Sequence, residues 1–376
     1  MANRDFRKNI TSPCLRDGVV NPRRHSRVIT LGRIKIGGDH SISIQSMCRT
    51  PVTRVDECLK EINTLATIGC EIIRIAIPHH SHVTALQEIC ARSPIPIVAD
   101  IHFDYRLAIA AAKVGVHGLR YNPGNITNHQ HIIELSKTAS DYHLPIRIGV
   151  NAASLPDRLI QQYGGASPEA ITECALSQAS MLEEVGFTQI KISLKASDPL
   201  TTIAAYRCCA SRCDYPLHLG LTEAGPPLTG AIKSGFSLGV LLMEGIGDTL
   251  RISLSASASN EVIAARQLLR SLGLRNEGAE IIACPCCSRC TVDVIGMMEK
   301  LEPHLSLIKT PIRVAIMGCE VNGPGEAASS DIGIAGANGS WVLFIKGEKV
   351  CKLSNNEVEA SFMKRVQQVV IDKQGR

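Results

Sequence analysis

The chain has 376 residues, 45% hydrophobic, 20% charged and only 3% aromatic, with a net charge of +5. That length exceeds what one hydrophobic core usually serves, so a large domain of about 250 residues plus a smaller one is expected. No apolar run reaches the roughly 18 residues that span a bilayer, and a mild charge without a long basic run argues against nucleic-acid binding, so the partner class that fits is a small acidic molecule.

In chain order, Met1 to Arg27 is polar and its charges are not followed by an apolar signal core, which predicts a soluble, cytoplasmic protein. In that compartment thiols stay reduced, so the fifteen cysteines point to metal binding before disulfides. Val28 to Ile36 reads as a short hairpin able to plug a barrel floor. From Ser41 to Leu272, β-branched runs alternate with helical patterns at Ser43 to Met47, Glu71 to Ile77, Ile95 to His102, Gly118 to Tyr121, Pro145 to Val150, Thr188 to Leu194, Pro216 to Leu221 and Thr249 to Leu254. Eight such runs predict a closed (β/α)8 TIM barrel over residues 28–273. A doubly wound sheet would want a Gly-rich turn after its first strand, where Cys48-Arg49-Thr50-Pro51 stands instead. Outer helices are expected over Val55 to Ile68, Asp104 to Val114 and, behind Asn260 as N-cap, Glu261 to Leu272. After Gly273 the rhythm changes to a cysteine loop, a helix, a strand at Ile312 to Met317, a hairpin around Trp341 to Lys352 and a terminal helix. This reads as an α+β domain over residues 274–376.

Catalytic residues of such barrels sit at the C-terminal strand ends. Here those ends carry Gln45 and Ser46, Arg74, Asp100 and His102, Arg120 and Asn122, Arg147 and Asn151, Ser193 and Lys195, Thr222 and Glu223, and Arg251 and Ser253. Five cations at one mouth would repel one another unless a multiply charged ligand neutralised them, and Arg binds phosphate oxygens bidentately. A diphosphate or similar polyanion is implied, although any single Arg could equally serve a structural salt bridge. Asp100 and His102 share one face of a strand, which suits hydroxyl binding or proton transfer and also suits a satisfied core histidine. Glu223, in Thr222-Glu223-Ala224-Gly225, is a second candidate for proton chemistry.

The sharpest feature is Ala283-Cys284-Pro285-Cys286-Cys287-Ser288-Arg289-Cys290, joined by Gly318-Cys319-Glu320-Val321-Asn322-Gly323-Pro324-Gly325-Glu326. Spacing alone admits either a 4Fe-4S cluster or a structural zinc on Cys284, Cys287, Cys290 and Cys319. Cys208, Cys209 and Cys213 fall together on a predicted helix and read as small apolar residues.

These two cysteine segments resemble the cluster site of the 4-hydroxy-3-methylbut-2-enyl diphosphate synthase family. Ala99-Asp100-Ile101-His102-Phe103-Asp104-Tyr105-Arg106, Asn122-Pro123-Gly124-Asn125-Ile126, Ile146-Arg147-Ile148-Gly149-Val150-Asn151 and Glu244-Gly245-Ile246-Gly247-Asp248-Thr249-Leu250-Arg251 resemble it too, and the likeness runs from Ile29 to Leu353. The resemblance implies a barrel with a smaller iron-sulfur domain and a 4Fe-4S cluster on Cys284, Cys287 and Cys319, with Glu326 on the fourth iron until substrate arrives. It implies reductive ring opening and dehydration of 2-C-methyl-D-erythritol 2,4-cyclodiphosphate in non-mevalonate isoprenoid biosynthesis, with flavodoxin or ferredoxin as electron donor. Cys286 and Cys290 depart from the family pattern, and so does Met47-Cys48-Arg49-Thr50-Pro51. The rival readings are a pterin-type or methyl-transfer barrel with a structural zinc domain, and a metal-stabilised binding protein.

Topology also predicts a homodimer with shared active sites. The last outer helix delivers the chain to the barrel floor, and the link from Gly273 to Ile282, about 33 Å when fully extended, would have to climb past a helix about 20 Å long. Capping of each barrel by its partner's second domain removes that strain, and the resemblance agrees.

Overall fold

The computed structural model describes residues 20–101, 104–123 and 128–375. The chain divides into two compact units after Arg275. The first opens on the hairpin β1 (Ile29–Leu31) and β2 (Ile34–Ile36), antiparallel with Ile29 opposite Ile36. Eight strands follow: β3 (Ser43–Met47), β4 (Ile72–Ala76), β5 (Ile97–Asp100), β6 (Gly118–Tyr121), β7 (Ile146–Asn151), β8 (Ile190–Lys195), β9 (His218–Leu219) and β10 (Thr249–Leu250). They pair in parallel in the order β8-β7-β6-β5-β4-β3-β10-β9. A parallel bridge from Ile192 to Leu217 links β8 to the segment entering β9. This is the expected barrel, with its last two strands shorter than the sequence runs suggested.

Helices α1 (Val55–Thr67), α2 (Val83–Arg92), α3 (Tyr105–Lys113), α4 (His129–Asp141), α5 (Asp157–Tyr163), α6 (Pro168–Glu184), α7 (Pro199–Arg212), α8 (Pro227–Met243) and α9 (Ala258–Ser271) connect the strands. Side-chain caps start several of them. Asp104 accepts from the Arg106 N–H, Ser167 from Ala170 and Asp198 from Thr201, each satisfying an otherwise orphaned first-turn donor. The N-cap of α9 is Ser257, which accepts from the Asn260 N–H, so the expected cap at Asn260 lies inside the first turn. Ser257 wins because its extended backbone lets the hydroxyl reach that amide, whereas Asn260 is already helical.

Strand alternation sends one residue in two into the barrel. The registers place Gln45 opposite Ile72, Arg74 opposite Val98, Asp100 opposite Arg120, Arg120 opposite Arg147, and Arg147 opposite Lys191. The lowest inward layer is apolar and meets the hairpin: Ile29, Leu31 and Ile36 form one buried cluster with Ile72 and Val98. The hairpin is therefore a floor plug. The segment before it also belongs to the barrel. The Asn21 N–H donates to the Met243 carbonyl at 2.7 Å and Arg24 to Gly245 at 2.9 Å, while the Arg23 guanidinium pairs with Asp248 at 2.6 Å. Within residues 21–27 the Asn21, Arg24 and Arg27 amides all donate to carbonyls of the barrel, the last to Asp214 at 2.7 Å.

The second unit carries β11 (Ala279–Ala283), β12 (Ile312–Met317), β13 (Ile332–Ala337), β14 (Ser340–Ile345) and β15 (Glu348–Leu353) in that spatial order, the first three parallel and the rest antiparallel. Its helices are α10 (Val294–Leu305), α11 (Gly323–Ala328) and α12 (Val358–Gln374). Leu301 of α10 and Phe362 and Val366 of α12 pack on Trp341 and Ile316 of the sheet, so each helix buries its apolar stripe on one face.

Leu31 is 2% exposed beneath the barrel's inner layer. Leu31→Ala is expected to destabilise the barrel by about 3 kcal/mol through the cavity it leaves, read as a lowered denaturant midpoint with an unchanged slope. A change within half a kcal/mol would show that the hairpin is not part of the cooperative core.

Candidate active site

The inward residues of the upper barrel are mostly cationic. Asp100, 1% exposed, receives the Arg120 Nη1 at 2.9 Å on one oxygen and faces the Arg74 Nε at 3.4 Å on the other. Arg120 also donates through Nη2 to the Gly149 carbonyl at 3.1 Å. The glycine makes this approach possible, since a Cβ at residue 149 would lie 2.6 Å from the Arg120 Nε. Gly220 serves Lys195 in the same way, with a Cβ position 2.6 Å from Nζ.

On the other side of the mouth, Glu261 of α9 is 1% exposed and binds Arg251 through both oxygens at 3.3 Å and the Arg49 Nη2 at 2.9 Å. Met47, Arg49, Thr222, Glu223, Gly225, Arg251 and Ser253 are among the residues that line a cavity of about 570 Å³ there. Glu223 is exposed to it and holds a positive φ of 51°, which turns its loop sharply at the strand end. Asn122 donates to the Ser154 hydroxyl at 2.8 Å, and that hydroxyl donates to the Asn151 carbonyl at 3.2 Å. Asn151 stands beside Lys195, and Ser193 beside Gly149.

Three of the five predicted cations, Arg74, Arg120 and Arg251, thus have a carboxylate, and Arg147 and Lys195 have none among the described residues. Arg147 is 3% exposed, and its three guanidinium nitrogens make no hydrogen bond among the described residues. Burial, then the neighbouring Arg74 and Arg120, pulls its pKa well below the usual range. The Lys195 amine is driven down by burial and by four surrounding arginines, and Arg74 falls to about 10, burial again leading. Burial and mutual repulsion thus both disfavour the charged forms of these side chains. His102 lies outside the described residues.

Sequence reasoning missed Glu261, whose helix start read as ordinary capping, and Lys191. The signal for Lys191 was present: Lys191, Ser193 and Lys195 alternate with apolar residues on one strand, and all three face inward.

The cysteine loops are built differently. Ala283 stands opposite Ile316 on parallel β11 and β12, so Cys284 and Cys319 leave from adjacent strand ends. The Thr291 N–H donates to the Gly318 carbonyl at 2.9 Å and ties the loops together. The Cys319 thiol lies below its ordinary pKa because the Asn322 and Val321 amides donate to it, with Arg289 adding its charge. That favours thiolate, the form that binds iron. Cys286 and Cys290 sit with their sulfurs 2.9 Å apart, and that contact, with burial, lifts Cys290 to about 12. No three His, Cys, Asp or Glu side chains among the described residues group as a site for a single ion. A cluster takes one ligand per iron, and Cys284, Cys287 and Cys319, with Glu326 in the first turn of α11, are a donor set of the right chemistry for one.

A cationic parallel barrel followed by a cysteine-bearing α+β unit defines a class of two-domain barrel enzymes. The GcpE TIM-barrel domain model matches residues 26–266, and the GcpE protein C-terminal domain model matches residues 280–368. The 4-hydroxy-3-methylbut-2-en-1-yl diphosphate synthase (flavodoxin) of Lawsonia intracellularis is 47% identical over 94% of this chain and 99% of that protein. Its counterpart in Geobacter sulfurreducens is 47% identical over 93% and 99%. Among solved structures, dihydropteroate synthase of Yersinia pestis aligns over 66% of this chain and 99% of that one, with a TM-score of 0.49 and 13% identity. The chain belongs to the GcpE family of 4-hydroxy-3-methylbut-2-en-1-yl diphosphate synthases. It is an oxidoreductase of non-mevalonate isoprenoid biosynthesis, and the pterin-type, methyl-transfer and binding-protein readings are not favoured.

Away from both sites, the Cys209 and Cys213 sulfurs lie 3.7 Å apart at the end of α7. The contact from Cys209 holds Cys213 down to about 7, whereas burial lifts Cys90 to about 12. Both are half-buried. At pH 7.5, iodoacetamide is therefore expected to alkylate Cys213 well ahead of Cys90, by peptide mapping over time. Equal rates would show that access, not ionisation, decides.

Proposed function

We propose that the barrel binds 2-C-methyl-D-erythritol 2,4-cyclodiphosphate by its two phosphates, using Arg74, Arg120, Arg147, Lys195 and Arg251, and that the second unit supplies the reducing power. The observation that carries this reading is the buried cation surplus, above all Arg147, whose guanidinium nitrogens have no acceptor among the described residues. A diphosphate supplies charge and acceptors together. Asp100 positions Arg74 and Arg120 by holding one on each oxygen. Asn122, Asn151, Ser193, Ser253 and His102 are assigned to the substrate's hydroxyl and phosphate oxygens. Glu223, exposed at the mouth, exchanges a proton with the oxygen that departs as water.

A 4Fe-4S cluster would be held by Cys284, Cys287 and Cys319, with the carboxylate of Glu326 on the fourth iron, and would supply electrons received singly from a flavodoxin or ferredoxin. Glu326, as a carboxylate, would be displaced more readily than a thiolate, which suits the position that substrate would take. The conversion takes up two electrons and two protons and releases one water, so the product has one oxygen fewer than the substrate.

Arg120→Ala and Arg147→Ala are each expected to weaken substrate binding about 10- to 100-fold, the worth of one charge-assisted contact of about 1.5 to 3 kcal/mol, with iron content unchanged. Binding measured by calorimetry on reconstituted enzyme decides, and parallel loss of iron would refute the assignment. Cys284→Ser, Cys287→Ser and Cys319→Ser should each lose the cluster's absorption, whereas Cys286→Ser and Cys290→Ser keep it. Iron retained in Cys287→Ser but lost in Cys290→Ser would reverse the ligand choice.

A homodimer with shared sites belongs to the same reading, supported by the way α9 returns the chain to the floor side of the barrel. Mixing Arg120→Ala with Cys319→Ser chains should restore activity, one intact site forming per mixed dimer. Verified heterodimers that stay inactive would assign each site to a single chain.

A further inference from the structure

Beneath the cationic mouth the barrel holds a second polar chamber, which shares Arg147 with the proposed substrate site and adds Gln45 and Lys191, which that site does not use. It is largely enclosed, about 10 Å³ in volume, and lined by Gln45, Arg147 and Lys191 against Leu31, Val98 and Leu119. Gln45 and Lys191 are each 2% exposed and Arg147 3%. The Lys191 Nζ, both polar atoms of the Gln45 amide and all the guanidinium nitrogens of Arg147 make no hydrogen bond among the described residues. Two buried cations without an acceptor are among the costliest arrangements a core can hold. The carboxylate nearest to relieving Lys191 is Asp248, and it is already engaged by Arg23, by the Ser26 hydroxyl and by the Leu217 N–H. Burial and Arg147 accordingly pull the Lys191 amine down to about 7.

The chamber has room for about one water-sized body. A phosphate or carboxylate is too large for it. A water accepts only two hydrogen bonds and brings no charge, so it leaves one donor and both cations uncompensated. A monatomic anion accepts from the ammonium, the guanidinium and the amide N–H at once, and its apolar contacts with Leu31, Val98 and Leu119 cost it no further hydrogen bonds. We propose that this chamber is a binding site for one chloride-sized monovalent anion, held by Lys191, Gln45 and Arg147 between the hairpin plug and the substrate site. The anion neutralises the lower cations, so that the diphosphate above meets an Arg147 already fixed from below.

The test uses bromide as the probe on cluster-loaded enzyme. Crystals grown in bromide should show one anomalous peak between residues 45, 147 and 191. In solution, bromide at constant ionic strength should raise the thermal midpoint by a few degrees over gluconate, since a ligand that binds only the folded state stabilises it. Lys191→Met should abolish both signals. Because that variant could fail to fold, Gln45→Glu provides a second arm: its carboxylate supplies the negative charge internally, so the variant should fold and become indifferent to bromide. A chamber without anomalous density, whether filled by water or closed by a direct contact from Lys191 to Gln45, overturns the proposal, and so does bromide that remains bound in Gln45→Glu.

Discussion

The interior of this barrel is organised by a shortage of negative charge. Arg74, Arg120, Arg147, Lys191, Lys195 and Arg251 point inward, and among the described residues the carboxylates that meet them at the mouth are Asp100 and Glu261. Each of these acids serves two arginines, Asp100 taking Arg74 and Arg120 and Glu261 taking Arg251 and Arg49. Arg147 and Lys191 are buried with no hydrogen-bond acceptor among the described residues, an arrangement that costs stability and that a bound anion would relieve.

Much of the rest of the first unit can be understood as support for that imbalance. Cations held on strands are more rigid than cations on loops, and the parallel register sets Asp100, Arg120, Arg147 and Lys191 side by side across four neighbouring strands. Glycines at 149 and 220 provide the space in which long side chains lie flat across the barrel. Below them, the hairpin closes the floor with Ile29, Leu31 and Ile36, which keeps water from screening the charges from beneath. The strap from Asn21 to Arg27 fastens that end.

The second unit solves a different problem. Its cysteine loops leave the ends of two adjacent parallel strands, where side chains of distant sequence positions come together and backbone amides donate to the Cys319 sulfur. The extra cysteines, Cys286 and Cys290, pack on each other, and the contact keeps Cys290 protonated.

The sequence by itself determined the barrel, because eight β-branched runs alternating with amphipathic helices leave few other ways to bury both faces of a parallel sheet. It also located the cationic mouth and the cysteine segments, since strand ends and Cys-x-x-Cys spacings are local patterns, and the hairpin at Ile29 to Ile36 was legible from its apolar alternation. Which charges are satisfied is settled only when the barrel closes. Arg120 and Arg147 look alike in sequence, yet Asp100 reaches one and not the other, because pairing depends on register across strands and not on spacing along one. Glu261, Lys191 and Gln45 acquired meaning for the same reason: a helical glutamate, a strand lysine and a strand glutamine have ordinary local contexts, and only closure of the barrel sets them against partners, or against none, from chain segments far away.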